Sequence, residues 1–337
     1  MKYVIGLLAG AAVAATLATP AAAQHTMRIG MVTINDAQHT FTQKYAEELM
    51  KRTNNAIKVE VFTAGQLGSI PRQIENLKIG AQAGFVSPGG FFSGVDRGFE
   101  VGDAPGIFKS FWHAQNAVTD PEFRDKYAML GEKQGSIGVA IFNYGPTSIA
   151  SLTPVRKLDD MKGLKIRVLA TKMESKLASV LGMTGVPMPY TEVLPAIQQR
   201  TIDGCRSSIA VMGASKFFTT TKYVTQEESG MIISGIWISK PWLNRLPKDL
   251  QDHVLKTGRD LETWAGQNAE TFDKNAVQLW KDNGAEVIKL SAADQAELNR
   301  RLAPLGDEFL GDDPATKDIY AILKRVLARV PTTPPKS

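Results

Sequence analysis

The chain has 337 residues, 43% hydrophobic and 22% charged, with a formal net charge of +5. That balance describes an ordinary folded protein long enough for two domains or lobes, and excludes a disordered or low-complexity chain. The small basic excess is interspersed, so the concentrated basic stripe that nucleic-acid binding needs is absent.

The first segment reads as an export signal, residues 1–23. Lys2 supplies a positive start, an apolar run follows from Val4 to Leu17, and Ala21 and Ala23 form an A-x-A pattern that places cleavage before Gln24. The run is shorter than the ~20 apolar residues that span a bilayer, and no cysteine follows it for lipid anchoring. The expectation is a periplasmic protein that is not membrane-inserted. Losing Lys2 leaves 38 of the 39 basic residues against 34 acidic ones, a net charge of +4. Cys205 is the only cysteine. It can form no intrachain disulfide and is expected to be buried and inert.

In chain order, residues 27–33 read as a strand and 40–52 as an amphipathic helix with Phe41, Tyr45 and Leu49 four apart. Residues 57–63 alternate as a second strand, Gly65 to Gly68 make a turn, and 71–80 form a second helix. A short strand, 84–87, opens into Pro88-Gly89-Gly90. This β-α-β-α-β order implies an α/β lobe with partly parallel strands. A second α/β unit starts with a strand over 137–144. It continues with a capped turn at 158–163, a strand at 165–168, a helix at 171–181, a strand at 184–187 and a helix at 193–200. From 248 to 282 no proline interrupts an apolar stripe that includes Leu250, Val254, Leu261, Ala265, Ala269 and Phe272. That predicts one helix roughly 50 Å long at 1.5 Å per residue, enough to brace both lobes. A strand at 286–290, a helix at 291–302 and a loose proline-rich tail, 331–337, complete the reading.

Recognisable catalytic and metal-binding chemistry is missing. His25, His39, His113 and His253 are scattered, with no H-E-x-x-H and no second cysteine. There is no G-x-S-x-G elbow and no G-x-G-x-x-G. Gly89 and Gly94 have the spacing of a phosphate loop, but Val95 stands where lysine is required. Asp159-Asp160, between Lys157 and Lys162, reads as a solvated turn. The expectation is therefore no catalytic residue, no metal and no cofactor.

The segment Leu158-Asp-Asp-Met-Lys-Gly-Leu-Lys-Ile-Arg167-Val resembles a signature of the solute-binding proteins of tripartite ATP-independent periplasmic (TRAP) transporters, of the C4-dicarboxylate-binding, DctP type. Other stretches resemble the same family in the same order. They are Ile57-Lys-Val-Glu-Val, Gly65-Gln-Leu-Gly, Phe85-Val-Ser-Pro, Val186-Pro-Met-Pro-Tyr190, Ile202-Asp-Gly, Lys222-Tyr-Val-Thr225 and Ile238-Ser-Lys-Pro-Trp242. The resemblance implies two α/β lobes joined by crossing hinge strands, one long helix spanning both, and a ligand cleft between them. The lobes are expected at 24–144 with about 233–272, and at 145–232 with about 273–330. It also implies delivery of a small carboxylate-bearing ligand to TRAP membrane subunits, without catalysis; the protein is expected to be a monomer.

Within that resemblance Arg167 is the expected carboxylate anchor, since a guanidinium offers a rigid fork of donors and keeps its charge when desolvated. Tyr190 is expected to line the cleft or to form an apolar lid over the hinge, and Trp237 to wall the cleft or fill core. Gln38 and Ser87 lie on loops after strands of the first lobe, where α/β folds place ligands. After Asp203-Gly204 the family's usual Asn is replaced by Ser207, preceded by Arg206. A further family arginine is missing near Gly145-Pro146-Thr147, and Gln226 to Ser229 lacks a familiar histidine. Two ligand readings stay open: a monocarboxylate with an apolar or aromatic body, or a diacid if Arg206 makes a second anionic contact. A binding protein serving a receptor or ABC importer, an exported hydrolase or isomerase, and a structural envelope protein are the alternatives.

Overall fold

Strand β1 (His25–Gly30) buries Met27 and Ile29 and exposes Thr26 and Arg28, the period-two signature of a half-covered strand. Helix α1 (Ala37–Arg52) follows, capped by the Asp36 side chain, which accepts from the His39 N–H at 2.9 Å. It leads to β2 (Ile57–Phe62), parallel to β1. The computed structural model describes residues 24–335; the expected export signal lies outside them.

Helix α2 (Ile70–Lys78) and β3 (Gly84–Pro88) complete the first parallel unit. Two helices not anticipated from sequence come next, α3 (Phe111–Thr119) and α4 (Pro121–Ala128). Their caps are Ser110 and Asp120, with a proline opening α4. Strand β4 (Ser136–Ser151) is buried along its whole length. The second unit holds β5 (Lys165–Val168), α5 (Lys172–Val180), β6 (Thr184–Pro187), α6 (Tyr190–Gln198), β7 (Gly204–Ser208) and α7 (Ile209–Ala214). Strand β8 (Tyr223–Ser239) crosses back, followed by α8 (Lys240–Leu243), α9 (Lys248–Asp260), α10 (Glu262–Asp282), β9 (Glu286–Lys289), α11 (Ala292–Gly306) and α12 (Lys317–Leu327).

The strands form one mixed sheet in the order β2-β1-β3-β8-β4-β7-β5-β6, with β9 also on β8. At its centre β4 and β8 run antiparallel from Ser136↔Ser239 to Ser151↔Tyr223. One end of this pair receives β3, at Gly84↔Ile238 to Pro88↔Ser234. The other receives β7, at Thr147↔Ser208 to Ser151↔Gly204, and β9. Each crossing strand therefore belongs to both lobes, the expected two-lobe architecture. Apolar clusters cover both faces: Met27, Phe142 and Ile236 point to one, Phe85, Ile141 and Trp237 to the other.

The stripe over 248–282 is two helices, not one. Leu261 separates α9 from α10, its N–H turning to the Gly258 carbonyl at 3.1 Å. The cause lies in β4, which bulges between Gly138 and Ala140. Glu262 accepts from the Ile141 N–H and Arg124 Nε, both at 2.9 Å, and Arg124 Nη2 donates to the Val139 carbonyl at 2.8 Å. A Cβ on Gly258 would lie 2.5 Å from that same carbonyl oxygen. Helix and bulge are thus drawn together at one point. Helix α10 alone, roughly 30 Å long, packs on α1 and α3 at one end and on α7 and β9 at the other, so it still spans both lobes.

The chain end also departs from expectation. Helix α12 packs on α3 and α4, a third visit to the first lobe. The described part of the tail is held there: Asn116 Nδ2 donates to the Pro331 and Thr333 carbonyls at 2.9 Å, and Ser110 Oγ to Thr332 O at 2.7 Å.

Gly258→Ala is expected to lower unfolding stability by about 1–3 kcal/mol, the usual cost of forcing extra volume into a packed site, as read by denaturant melts. Burial, helped by Glu228 and Glu270, pushes Asp273 on α10 up to about 6, and its Oδ1 has no hydrogen-bond partner among the described residues. The folded state therefore holds this proton more tightly than the unfolded chain. The resulting stability is full below the unfolded value of 3.8 and is lost as pH rises through about 6. Asp273→Asn should raise stability at pH 7.5 by on the order of 1 kcal/mol and give no gain at pH 3.5, in paired melts at the two pH values.

Candidate functional site

Strand β5 sends Ile166 and Val168 into the core on one sheet face, so Arg167 points to the other. Cys205 of β7 and Val186 of β6 flank it in register. The guanidinium is 1% exposed. Its Cζ lies 5.5 Å from the centre of the Tyr190 ring and 6.0 Å from that of Phe91, so two aromatic rings are within cation–π range of it. Nε donates to the Met188 carbonyl at 3.3 Å, and Nη2 has no partner among the described residues. Among those residues no carboxylate pairs with it.

Arg167 opens into a chamber of about 30 Å³ between the lobes. The first lobe supplies Val32, Thr33, Gln38, Pro88 and Phe91. The second supplies Leu169, Tyr190, Ser207 and Val211, and the crossing strands supply Tyr144 and Ile232. Gln38 is fixed by two side chains: it accepts from Thr33 Oγ1 at 3.3 Å and donates to Ser234 Oγ at 2.6 Å. Tyr190 stacks on Phe217 and directs its hydroxyl away, to Val211 O at 3.3 Å and Ser215 Oγ at 3.1 Å. It therefore offers Arg167 a ring face and not a hydrogen bond. Burial first, then the neighbouring Cys205, pushes the Tyr190 hydroxyl far above its ordinary range. Cys205 is free and buried, and burial pushes its thiol up.

Tyr144 was not among the expected site residues. The strand pairing shifts between Asn143 and Gly145, leaving Tyr144 as the extra residue of a bulge and turning it to the chamber. Its hydroxyl is hydrogen-bonded to the Asp36 carboxylate, and burial followed by that charge raises it well above the usual tyrosine range. The visible signal was Gly145-Pro146, an interruption inside a strand; Gly145 takes a φ of +134° that other residues avoid. Phe91 was also missed, standing just beyond the Gly89-Gly90 loop.

Four expected residues meet at the chamber: Arg167, Tyr190, Ser207 and Gln38. Three do not line it. Trp237 lies in the core against Phe92, Phe99 and Tyr127, its Nε1 donating to Ser87 O at 3.0 Å. The Ser87 side chain donates only to the adjacent Pro88 carbonyl, at 3.2 Å.

Arg206 is enclosed by its own partners, because all three of its nitrogens are engaged. Nε donates to Glu227 at 2.8 Å, Nη1 to both Glu174 oxygens, and Nη2 to Thr147 Oγ1 at 3.0 Å and Ser229 Oγ at 2.9 Å. The second anionic contact considered for Arg206 is therefore closed off. Nearby Asp103 is pushed well up, by burial and then by Glu174 and Glu100. Two carboxylates around one guanidinium leave this cluster uninviting to a further anion. Among the described residues no group of His, Cys, Asp and Glu is placed to hold a metal ion.

Residues 30–312 match the family model DctP, described as bacterial extracellular solute-binding protein, family 7. The chain belongs to this family of solute-binding proteins. It is 28% identical to the C4-dicarboxylate-binding periplasmic protein DctP of Rhodobacter capsulatus, over 91% of this chain and 94% of that one. A TRAP periplasmic solute-binding protein from Xanthobacter autotrophicus, solved with bound β-D-galacturonate, superposes with a TM-score of 0.82 at 26% identity, covering 89% of this chain and 99% of the other. One from Desulfovibrio salexigens, solved with bound orotic acid, gives a TM-score of 0.85 at 22% identity, covering 91% and 99%. In this DctP-type protein no helix among the described residues is long and apolar enough to cross a membrane.

Removing Arg206 would strand Glu174 and Glu227 in the interior. Arg206→Ala is expected to cost about 3–5 kcal/mol of stability, measured by denaturant unfolding. Burial alone would raise Glu227, yet Arg206 and Ser229 more than offset it and hold it below its usual value. That contribution is present above the unfolded value near 4.5 and is lost as pH falls through the folded one.

Proposed function

We propose that this protein captures a small organic acid in the periplasm, anchoring its carboxylate on Arg167 between the lobes, and delivers it to TRAP membrane subunits. One observation carries the reading: Arg167 is fully buried, lines the chamber, and has an Nη2 without a partner among the described residues. Leaving a buried charge uncompensated costs several kcal/mol, roughly, so the site favours an anion that supplies the missing acceptor. The relatives support it: both galacturonate and orotic acid offer a carboxylate. The role is binding, not turnover, and the protein acts as a monomer after cleavage before Gln24.

Closure over the ligand would hold it through purification, since release requires the lobes to part. Denaturing the purified mature protein and analysing the released small molecules by mass spectrometry should give a carboxylate in near-stoichiometric amount. Truncating one partner of a desolvated charge pair costs about 2–5 kcal/mol. By calorimetry Arg167→Ala should therefore weaken binding of the recovered acid by roughly 30- to several-thousand-fold. Binding within about threefold of wild type would remove Arg167 as the anchor.

A further inference from the structure

Beside the Arg167 chamber lies a larger hollow of about 360 Å³. Ile70 and Ile74 of α2, Val95, Ala170, Pro187 and Met188 form much of its wall. Phe91 lines both spaces, and Met188, whose carbonyl accepts from Arg167 Nε, lines the hollow. Residues from both lobes face each other across it.

The two spaces differ in size and in chemistry. The inner chamber, about 30 Å³, has room for a carboxylate group or about two waters, since a cavity needs ~10–15 Å³ of such space per water. The outer hollow falls within the ~300–1,000 Å³ of ordinary small-molecule sites. Its only charged side chains, Glu75 and Lys78, pair with each other at 2.9 Å. The chamber offers one cation, Arg167, and no carboxylate to receive sugar hydroxyls. Arg206 is fully engaged elsewhere.

We infer that the bound acid is an amphipathic monocarboxylate, with its carboxylate on Arg167 and an extended aliphatic or aromatic body in the apolar hollow between α2 and the turn joining β6 to α6. This rests on the Arg167 anchor proposed above. A diacid or sugar acid would set a second carboxylate or several hydroxyls against isoleucine, valine and proline side chains. Each polar group left unpaired there weakens binding by roughly fivefold or more. An apolar body instead gains about fourfold for each methylene it buries.

Titration calorimetry on the exhaustively dialysed mature protein tests this, using straight-chain monocarboxylates of four to ten carbons, phenylacetate, diacids of matching length and galacturonate. Affinity should climb about fourfold per methylene until the hollow is filled. Each diacid should bind at least roughly fivefold more weakly than the monoacid of its length. Val95→Glu, on the partly exposed wall, should weaken decanoate far more than butanoate. If that variant does not fold, the wild-type length series decides alone. A flat length series, or tighter binding of the diacids or galacturonate, overturns the amphipathic assignment; the Arg167 anchor then stands if Arg167→Ala still abolishes binding of the preferred acid. Equal affinities in wild type and Arg167→Ala overturn the anchor and this assignment with it.

Discussion

The antiparallel pairing of β4 with β8 is the constraint on which the rest depends. Among the described residues these two strands are the only ones in the sheet shared by both lobes, and each lobe builds outward from one end of them. A regular ladder of this length would be stiff and would keep alternate side chains in the core. Three register shifts break it, near Val139, Tyr144 and Thr147. Each has a specific consequence. The first brings β4 against Gly258 and Glu262 and divides the long helix. The second turns Tyr144 into the chamber, and the third lies where Thr147 receives Arg206. Such bulges also bend a strand and increase its local twist.

Two arginines from neighbouring strands, one register step apart, have opposite fates. Both are buried to 1% exposure. Arg206 is saturated by Glu174, Glu227, Thr147 and Ser229, so its charge is balanced internally and stiffens the second lobe. Arg167 has aromatic faces and one carbonyl instead of a carboxylate. Aromatic rings stabilise a cation weakly, by about 0.5–2 kcal/mol, far less than a buried charge needs. The asymmetry separates a guanidinium balanced by carboxylates from one that has none among the described residues.

Solved relatives of this fold hold a sugar acid or a pyrimidine acid, so the scaffold accommodates acids of different shape. Selectivity must then come from the walls around the ligand. Here the walls contributed by α2, Phe91 and the β6–α6 turn are mainly apolar, and the nearby acidic cluster around Arg206 disfavours a second anion. The chemistry of the walls is thus consistent with a ligand that has one charged end.

Much of the architecture was legible in the sequence because it rests on local periodicity. The alternation in 57–62, the four-residue spacing in α1 and the Lys165–Val168 strand all report a side chain's face directly, and the family motif singled out Arg167. Where contacts between distant segments decide the outcome, the sequence was silent. The apolar stripe of 248–282 runs unbroken, since nothing local marks the pull of the β4 bulge on Leu261. The tail reads as loose because Asn116 and Ser110, which hold it, lie more than two hundred residues away. The site divides in the same way. Arg206 and Arg167 are equivalent as residue types, each in a short buried strand. Only the tertiary structure brings Glu174 and Glu227 to one and leaves the other facing a chamber, because charge balance in the interior is settled by neighbours in space and not by neighbours in the chain.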